Sequence, residues 1–174
     1  ILYMWSGLMH LIQKPWEKPG VAIVLRSDQQ GVGKSNFVNY IGKLLGRHFL
    51  TVHHQRHLVG NFNALHATAL LIFADEAVSS SRREDASVLK AKITEPFEIL
   101  ENKGRDPVQI HSCSRVIIAT NESHAAPIEL DDRRYFVNEV NPSKKSDRKF
   151  FDALIHERDN GGAEALLNCL IQGD

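Results

Sequence analysis

The chain contains only two cysteines, Cys113 and Cys169, among 174 residues. They lie far apart, without the pair spacing of metal ligands, and so few thiols argue for a reducing compartment. No apolar run approaches the ~18 residues of a membrane-spanning helix. The partly apolar start (Ile1, Leu2, Met4, Trp5, Leu8, Met9, Leu11, Ile12) lacks the charged beginning and small-residue cleavage site of a signal peptide. Net charge is absent too: 21 Lys and Arg balance 21 Asp and Glu. That excludes a global basic field, so any contact with nucleic acid must come from a local patch. The sequence shows no internal repeat, no low-complexity tract and no initial Met. It is expected to be a segment of a longer protein.

What is present is the balance of a soluble globular domain: 43% hydrophobic and 24% charged residues. The length suits one domain, 1–174. Trp5, Leu8, Met9 and Ile12 recur at helical spacing and predict an amphipathic N-terminal helix, ended by Pro15 and Pro19-Gly20. Residues 1–19 are read as this helix and its loop, 20–140 as the core, and 141–174 as C-terminal helices broken at Gly161-Gly162. Within the core, 21–25, 69–74, 116–119 and 135–140 are apolar runs with the character of buried strands. Residues 50–53 are a further candidate strand. Phe37, Val38, Ile41, Leu44 and Leu45 mark one face of a helix. Residues 79–85 read as a polar loop before a helix through Leu89 and Ile93. Residues 97–100 and 108–111 flank Asn102-Lys103-Gly104-Arg105 as a β-hairpin. Strands alternating with helices predict an α/β fold with a mostly parallel central sheet flanked by helices, plus the β-hairpin insertion. A ligand site is then expected at the carboxyl ends of the strands.

The segment Asp28-Gln29-Gln30-Gly31-Val32-Gly33-Lys34-Ser35 matches the phosphate-loop pattern G-x-x-x-x-G-K-[ST] except at its first position, where Asp28 replaces Gly. Glycines let backbone N–H groups converge on phosphate oxygens, and the helix N-terminus adds its positive dipole end. Gln30, Gly31, Val32, Gly33, Lys34, Ser35 and Asn36 are the candidate nucleotide-binding residues. Lys34 would reach the β- and γ-phosphates of ATP, and the Ser35 hydroxyl would ligate Mg²⁺. The Asp28 charge would repel phosphate, so its side chain is expected to face away or to cap a turn. Asp75-Glu76 ends a buried run. Asp75 is the candidate carboxylate that holds the water shell of Mg²⁺, and Glu76 the general base that polarises the lytic water. Asn121, closing the next apolar run, can bond the γ-phosphate and that water without adding charge.

These motifs together resemble the superfamily 3 helicases of the AAA+ class of P-loop NTPases, and in particular the helicase domain of phage-type primase-helicases. The likeness runs from Gln13-Lys14-Pro15 through Gly31-Val32-Gly33-Lys34-Ser35, Gly60-Asn61-Phe62-Asn63 and Asp75-Glu76-Ala77. It continues through Lys103-Gly104-Arg105-Asp106-Pro107, Thr120-Asn121, Pro127 and Asp131-Asp132-Arg133-Arg134-Tyr135-Phe136. The resemblance implies an ATP-driven helicase acting on single-stranded DNA in phage-type replication, in the cytoplasm of a bacterial or phage-infected cell. It implies a homo-oligomer, a hexameric ring in the full-length protein, although this segment alone is compatible with a monomer. By position, Asn121 corresponds to the sensor asparagine. Arg133 or Arg134 corresponds to the arginine that enters the neighbour's ATP site, the alternative being surface pairing with Asp131 and Asp132. Lys103 and Arg105 stand at the tip of the DNA hairpin, with solubilising surface charge as the alternative. The rival function is an assembly or loader ATPase without unwinding activity.

Three groups carry no functional assignment. His53, His54 and His57 lack a partner at metal-binding spacing and read as a polar loop or surface strand. Ser79-Ser80-Ser81 beside Arg82-Arg83 reads as a solvated loop. Phe150, Phe151, Leu154 and Ile155 read as a core stripe.

Overall fold

The apolar runs of the chain become the strands of one sheet. The computed structural model describes residues 2–61, 63–78, 83–121 and 132–173. Helix α1 (Leu2–Gln13) leads to β1 (Ala22–Arg26), then α2 (Lys34–Leu45), β2 (Phe49–Val52) and the short α3 (Gln55–Val59). After β3 (Leu71–Asp75) come α4 (Arg83–Thr94) and the hairpin β4 (Phe97–Leu100) and β5 (Val108–His111). Strands β6 (Arg115–Thr120) and β7 (Tyr135–Glu139) complete the sheet, and α5 (Arg148–Glu157) and α6 (Ala163–Gln172) end the chain. The five sheet strands run in the order β2-β3-β6-β1-β7. Every pairing among them is parallel, while β4 and β5 pair antiparallel as a separate ribbon.

Both faces of the central strands are covered, which is why β1, β3 and β6 are continuously apolar rather than alternating. Leu25, Phe73, Ile117 and Ala119 pack against Leu8 and Leu11 of α1, Val38 and Ile41 of α2, and Leu170 of α6. Val24, Ile72, Ala74 and Ile118 pack on the opposite face against Leu58 of α3 and Leu89 and Ile93 of α4. The α/β architecture with a mostly parallel sheet is thus the one expected from the alternating pattern. The crossover connections place β6 between β3 and β1, and the carboxyl ends of these three strands lie side by side.

Two cations, Arg115 buried and Lys18 half-buried, fasten the connections below the sheet. Arg115 is 8% exposed at the start of β6. Its Nη2 donates to the carbonyls of Lys14 at 2.9 Å and Glu17 at 2.6 Å, where α1 has ended. Burial lowers its pKa to about 10, which leaves it charged at neutral pH. The Lys18 amine donates to the carbonyls of Lys92 at 2.9 Å and Glu95 at 2.7 Å. It thereby satisfies carbonyls that the end of α4 leaves without helical partners.

The structure corrects three local expectations. Residues 83–85 are not loop: α4 starts at Arg83, and Glu84 and Asp85 occupy its first turn, where the helix dipole favours acids. Residues 79–82 lie outside the described segments. His57 belongs to α3 rather than to a loop or strand. The stripe on α5 is not core: no residue of that helix is buried, and Phe150 and Ile155 are 40% and 37% exposed. Phe151 and Leu154 are only half-buried, and both border an open cavity. The predicted break between the last two helices is present, with Gly161 at φ 100°.

Candidate functional site

Ser27 follows β1 and is 3% exposed. Its hydroxyl donates to the Gln29 carbonyl at 2.5 Å and begins the loop that reaches α2. Gly31 and Gly33 take φ values of 75° and 100°, a region that side chains other than glycine rarely adopt. Gly33 is also the N-cap of α2. A Cβ at Gly33 would lie 2.5 Å from Cε1 of Phe151 on α5. A second tether, from Ser146 N to the Gly31 carbonyl at 3.2 Å, holds the loop from the same side. Asp28 is exposed and absent from the cleft lining, so its charge faces away as expected. The turn is bonded by Ser27 instead.

Lys34 opens α2 with only 7% of its surface exposed. Its ammonium donates to Ser27 Oγ at 2.8 Å and to Asn121 Oδ1 at 2.5 Å. Burial lowers its pKa, opposed by the charges of Glu76 and Asp75. Ser35 Oγ lies 3.1 and 3.0 Å from the two carboxylate oxygens of Asp75. Asn121 Nδ2 donates to Glu76 Oε1, so one amide spans the cation of α2 and the acid after β3. Glu76 sits at φ 54°, an uncommon backbone state for a non-glycine residue and one concentrated at functional sites. Its N–H is held by the Ala119 carbonyl at 3.0 Å.

These groups line a cleft of about 380 Å³ at the carboxyl ends of β1, β3 and β6. Gln30, Gly31, Val32, Gly33, Lys34, Ser35, Asn36, Asp75, Glu76 and Asn121 all border it. A buried cation at the N-terminus of α2, with a glycine loop ahead of it, suits an anion. A hydroxyl beside a carboxylate offers hard oxygen donors to a divalent cation. Glu76 is an exposed carboxylate with the geometry to accept a proton. Ser27 was not singled out from the sequence, and Phe151 was read as core rather than as part of the site. Ser27 carries no motif signal, and Phe151 reaches the cleft from more than a hundred positions downstream.

The remaining candidates lie away from the cleft. Arg134 is turned back on its own chain: its Nη1 and backbone N each lie 3.1 Å from Asp132 Oδ1. Lys90 of α4 lies 3.1 Å from Asp132 Oδ2, and the Asp132 side chain is 3% exposed. Burial alone would raise the Asp132 pKa, but the bonds from Arg134 and Lys90 outweigh it and lower the value. Arg133 is exposed. Asp131 and Pro127 lie outside the described residues.

Lys103 and Arg105 are exposed at the hairpin tip, where Gly104 takes φ 73° and Arg105 N bonds the Asn102 carbonyl at 3.2 Å. The first strand of the hairpin is anchored along its length. Asn63 Nδ2 donates to the Ile99 carbonyl at 2.9 Å, and its Oδ1 accepts from Glu101 N at 3.0 Å. The amide thus bonds the backbone of β4 as a neighbouring strand would. Beneath it, Lys92 pairs with Glu98 and donates to His66 Nδ1 at 2.8 Å. Among the described residues, no group of three or more His, Cys, Asp or Glu is placed to hold a metal ion. None of their helices is long and apolar enough to cross a membrane.

A family profile matches residues 25–134, from the end of β1 to the start of β7. The chain belongs to DUF5906, a family of unknown function. This DUF5906 chain is also 29% identical over 128 residues to a DNA primase-polymerase of Nitratiruptor phage NrS-1. That match covers 72% of the chain but 18% of the relative. The apo structure of the NrS-1 C-terminal region superposes with a TM-score of 0.74 at 22% identity, covering 95% of this chain and 45% of that one. An A-form apo structure of the same region gives 0.72 over the same shares. The DUF5906 chain therefore spans less than half of each relative's length. At this identity the structural likeness establishes a shared fold.

Proposed function

We propose that the chain is the ATP-hydrolysing domain of a phage-type replication protein, a P-loop NTPase of the superfamily 3 helicase kind in the AAA+ class. The observation that carries this reading is the convergence of Lys34, Ser35, Asp75, Glu76 and Asn121 on one cleft. The similarity to a phage DNA primase-polymerase supports the setting in DNA replication.

In this reading the triphosphate lies along the loop 28–33, and its oxygens replace Ser27 and Asn121 as partners of the Lys34 ammonium. Ser35, with Asp75 behind it, would hold Mg²⁺, which adds positive charge against the phosphate oxygens. The hydroxyl and carboxylate already in contact fit that role. Glu76 accepts a proton from the water whose oxygen attacks the γ-phosphorus, and the bond to the ADP oxygen breaks. Asn121 bonds Glu76, so release of that bond when phosphate arrives frees the base. An arginine from a second copy of the chain completes charge neutralisation, an effect worth ~10³–10⁵ in rate. Arg133 is the better donor, since Asp132 already binds Arg134 within the chain. Lys103 and Arg105 would grip the phosphates of single-stranded DNA in a ring of subunits.

The direct test is Lys34→Ala. Loss of both ATP binding and ATPase activity is expected with folding intact; activity that survives in the purified variant removes the assignment. DNA stimulation of the wild-type ATPase would separate a motor from a loader.

A further inference from the structure

The densest run of positive charge in the chain belongs neither to the cleft nor to the hairpin. Four of the 21 Lys and Arg fall within six residues, Lys144, Lys145, Arg148 and Lys149, against one acid, Asp147. All four are exposed. Lys144 lies 3.2 Å from Asp147, while Lys145, Arg148 and Lys149 form no ion pair among the described residues. The backbone beneath them is held at both ends. Asn141 Oδ1 accepts from Ser143 N at 2.8 Å. Asp147, the N-cap of α5, accepts from Phe150 N at 3.0 Å. The cations therefore stand on ordered backbone.

Local stability does not account for this charge. Arg148 and Lys149 open α5, whose first turn holds no acid, and the positive end of the helix dipole disfavours cations there. Between the two cationic pairs, Ser146 takes φ 57°. Among the described residues, Glu76 in the cleft is the other non-glycine residue with a positive φ, and such strain concentrates at functional sites. Ser146 N donates to the Gly31 carbonyl at 3.2 Å, so the ridge stands against the phosphate loop. Charge that works against its own helix, beside a strained residue, calls for a function.

We infer that the ridge 144–149 holds the phosphodiester backbone of a nucleic acid, at a contact apart from the hairpin tip. A nucleic-acid backbone presents a line of single negative charges and asks for cations, whatever its base sequence. Lys145, Arg148 and Lys149 do not border the cleft. Exposed cations spread along a surface suit an extended polyanion better than a small anion, which needs donors that converge. The chain has no net charge to attract such a polymer, so the attraction must be local, and this run is where the charge is concentrated. The inference does not depend on nucleotide hydrolysis in the cleft.

The test is fluorescence anisotropy of a labelled oligothymidine and of a labelled DNA duplex, each titrated with the 174-residue chain at several salt concentrations. One variant carries Lys145→Gln, Arg148→Gln and Lys149→Gln. A control of equal charge carries Lys14→Gln, Arg47→Gln and Arg56→Gln, three exposed cations elsewhere. Thermal melts report folding. The ridge variant should melt no lower than wild type, since α5 loses cations that its dipole disfavours. Losing three phosphate contacts should reduce the slope of log affinity against log salt by about 2 for the single strand and about 3 for the duplex, with the control slope unchanged. A fall with one probe alone supports the contact and names the form of nucleic acid it takes. An unchanged slope with both probes, or an equal fall in the ridge and control variants, overturns it. So does a wild-type chain that binds neither probe. Lys34→Ala should bind both probes as wild type does, so failure of the nucleotide reading leaves this one standing.

Discussion

Acidification should destabilise this fold through His66. The ring is 3% exposed and fully used in its neutral form: Nε2 donates to the His57 carbonyl at 2.9 Å, and Nδ1 accepts from the Lys92 ammonium at 2.8 Å. A proton on Nδ1 would point at that ammonium. Burial first, and then the Lys92 charge, hold the His66 pKa at about 4 rather than 6.5. Glu98, paired with Lys92, cannot compensate by protonating early. Burial would raise its pKa, but Lys92 outweighs burial and keeps the carboxyl below its ordinary value. The unfolded histidine takes up its proton near pH 6.5, and the folded one only near pH 4. Within that window the unfolded state binds more protons, so stability is complete above it and falls as pH falls. The interval from 6.5 to about 4 is worth about 3 kcal/mol, or roughly 6–12 °C in melting temperature for a chain of this size. His66→Asn retains an acceptor near Nδ1 and does not titrate. Thermal melts of both proteins across this window should converge toward low pH, even though the variant starts lower for want of the bond to His57. Parallel curves for the two proteins would refute the reasoning. The network holds the hairpin base, so exchange protection of β4 and β5 should fall over the same window.

Three further outcomes are expected. Gly33→Ala meets both a φ of 100° and the Phe151 ring at 2.5 Å, so it should weaken nucleotide binding and lower the melting temperature. Adding Phe151→Ala should recover the steric part of the loss but not the backbone part, measured by melts of the single and double variants. Arg133→Ala should leave stability within about 0.5 kcal/mol while reducing ATPase activity. Arg134→Ala strips the buried Asp132 of a partner and should cost roughly 1–3 kcal/mol in denaturant titrations; equal stabilities would contradict the separation of their roles. Exchanging Lys103 and Arg105 for Glu should leave the melt unchanged, weaken single-stranded DNA binding and flatten its salt dependence; an unaltered salt slope would remove the hairpin from the DNA contact.

The site was legible where chemistry and strand ends coincide. Buried parallel strands are marked by unbroken apolar runs, so the polar residues that stop them, Asp75 and Asn121, stand out in the sequence. The glycines of 31–33 stand out because the loop needs positive φ. The α5 stripe was misread because helical periodicity reports an apolar face without saying what covers it. Phe151, read there as part of that stripe, gains its place beside the cleft from Gly33, a neighbour distant in the chain, and Ser27 carries no motif signal. Local sequence thus determined the elements, the loop and the reactive side chains, since periodicity, turn chemistry and strand termination are short-range properties. Only the tertiary structure inserted β6 between β3 and β1, which brings Asn121 between Lys34 and Glu76. Only it turned Arg134 onto Asp132 while leaving Arg133 exposed. Strand order and side-chain pairing depend on how distant segments share one buried core, and no local pattern records that.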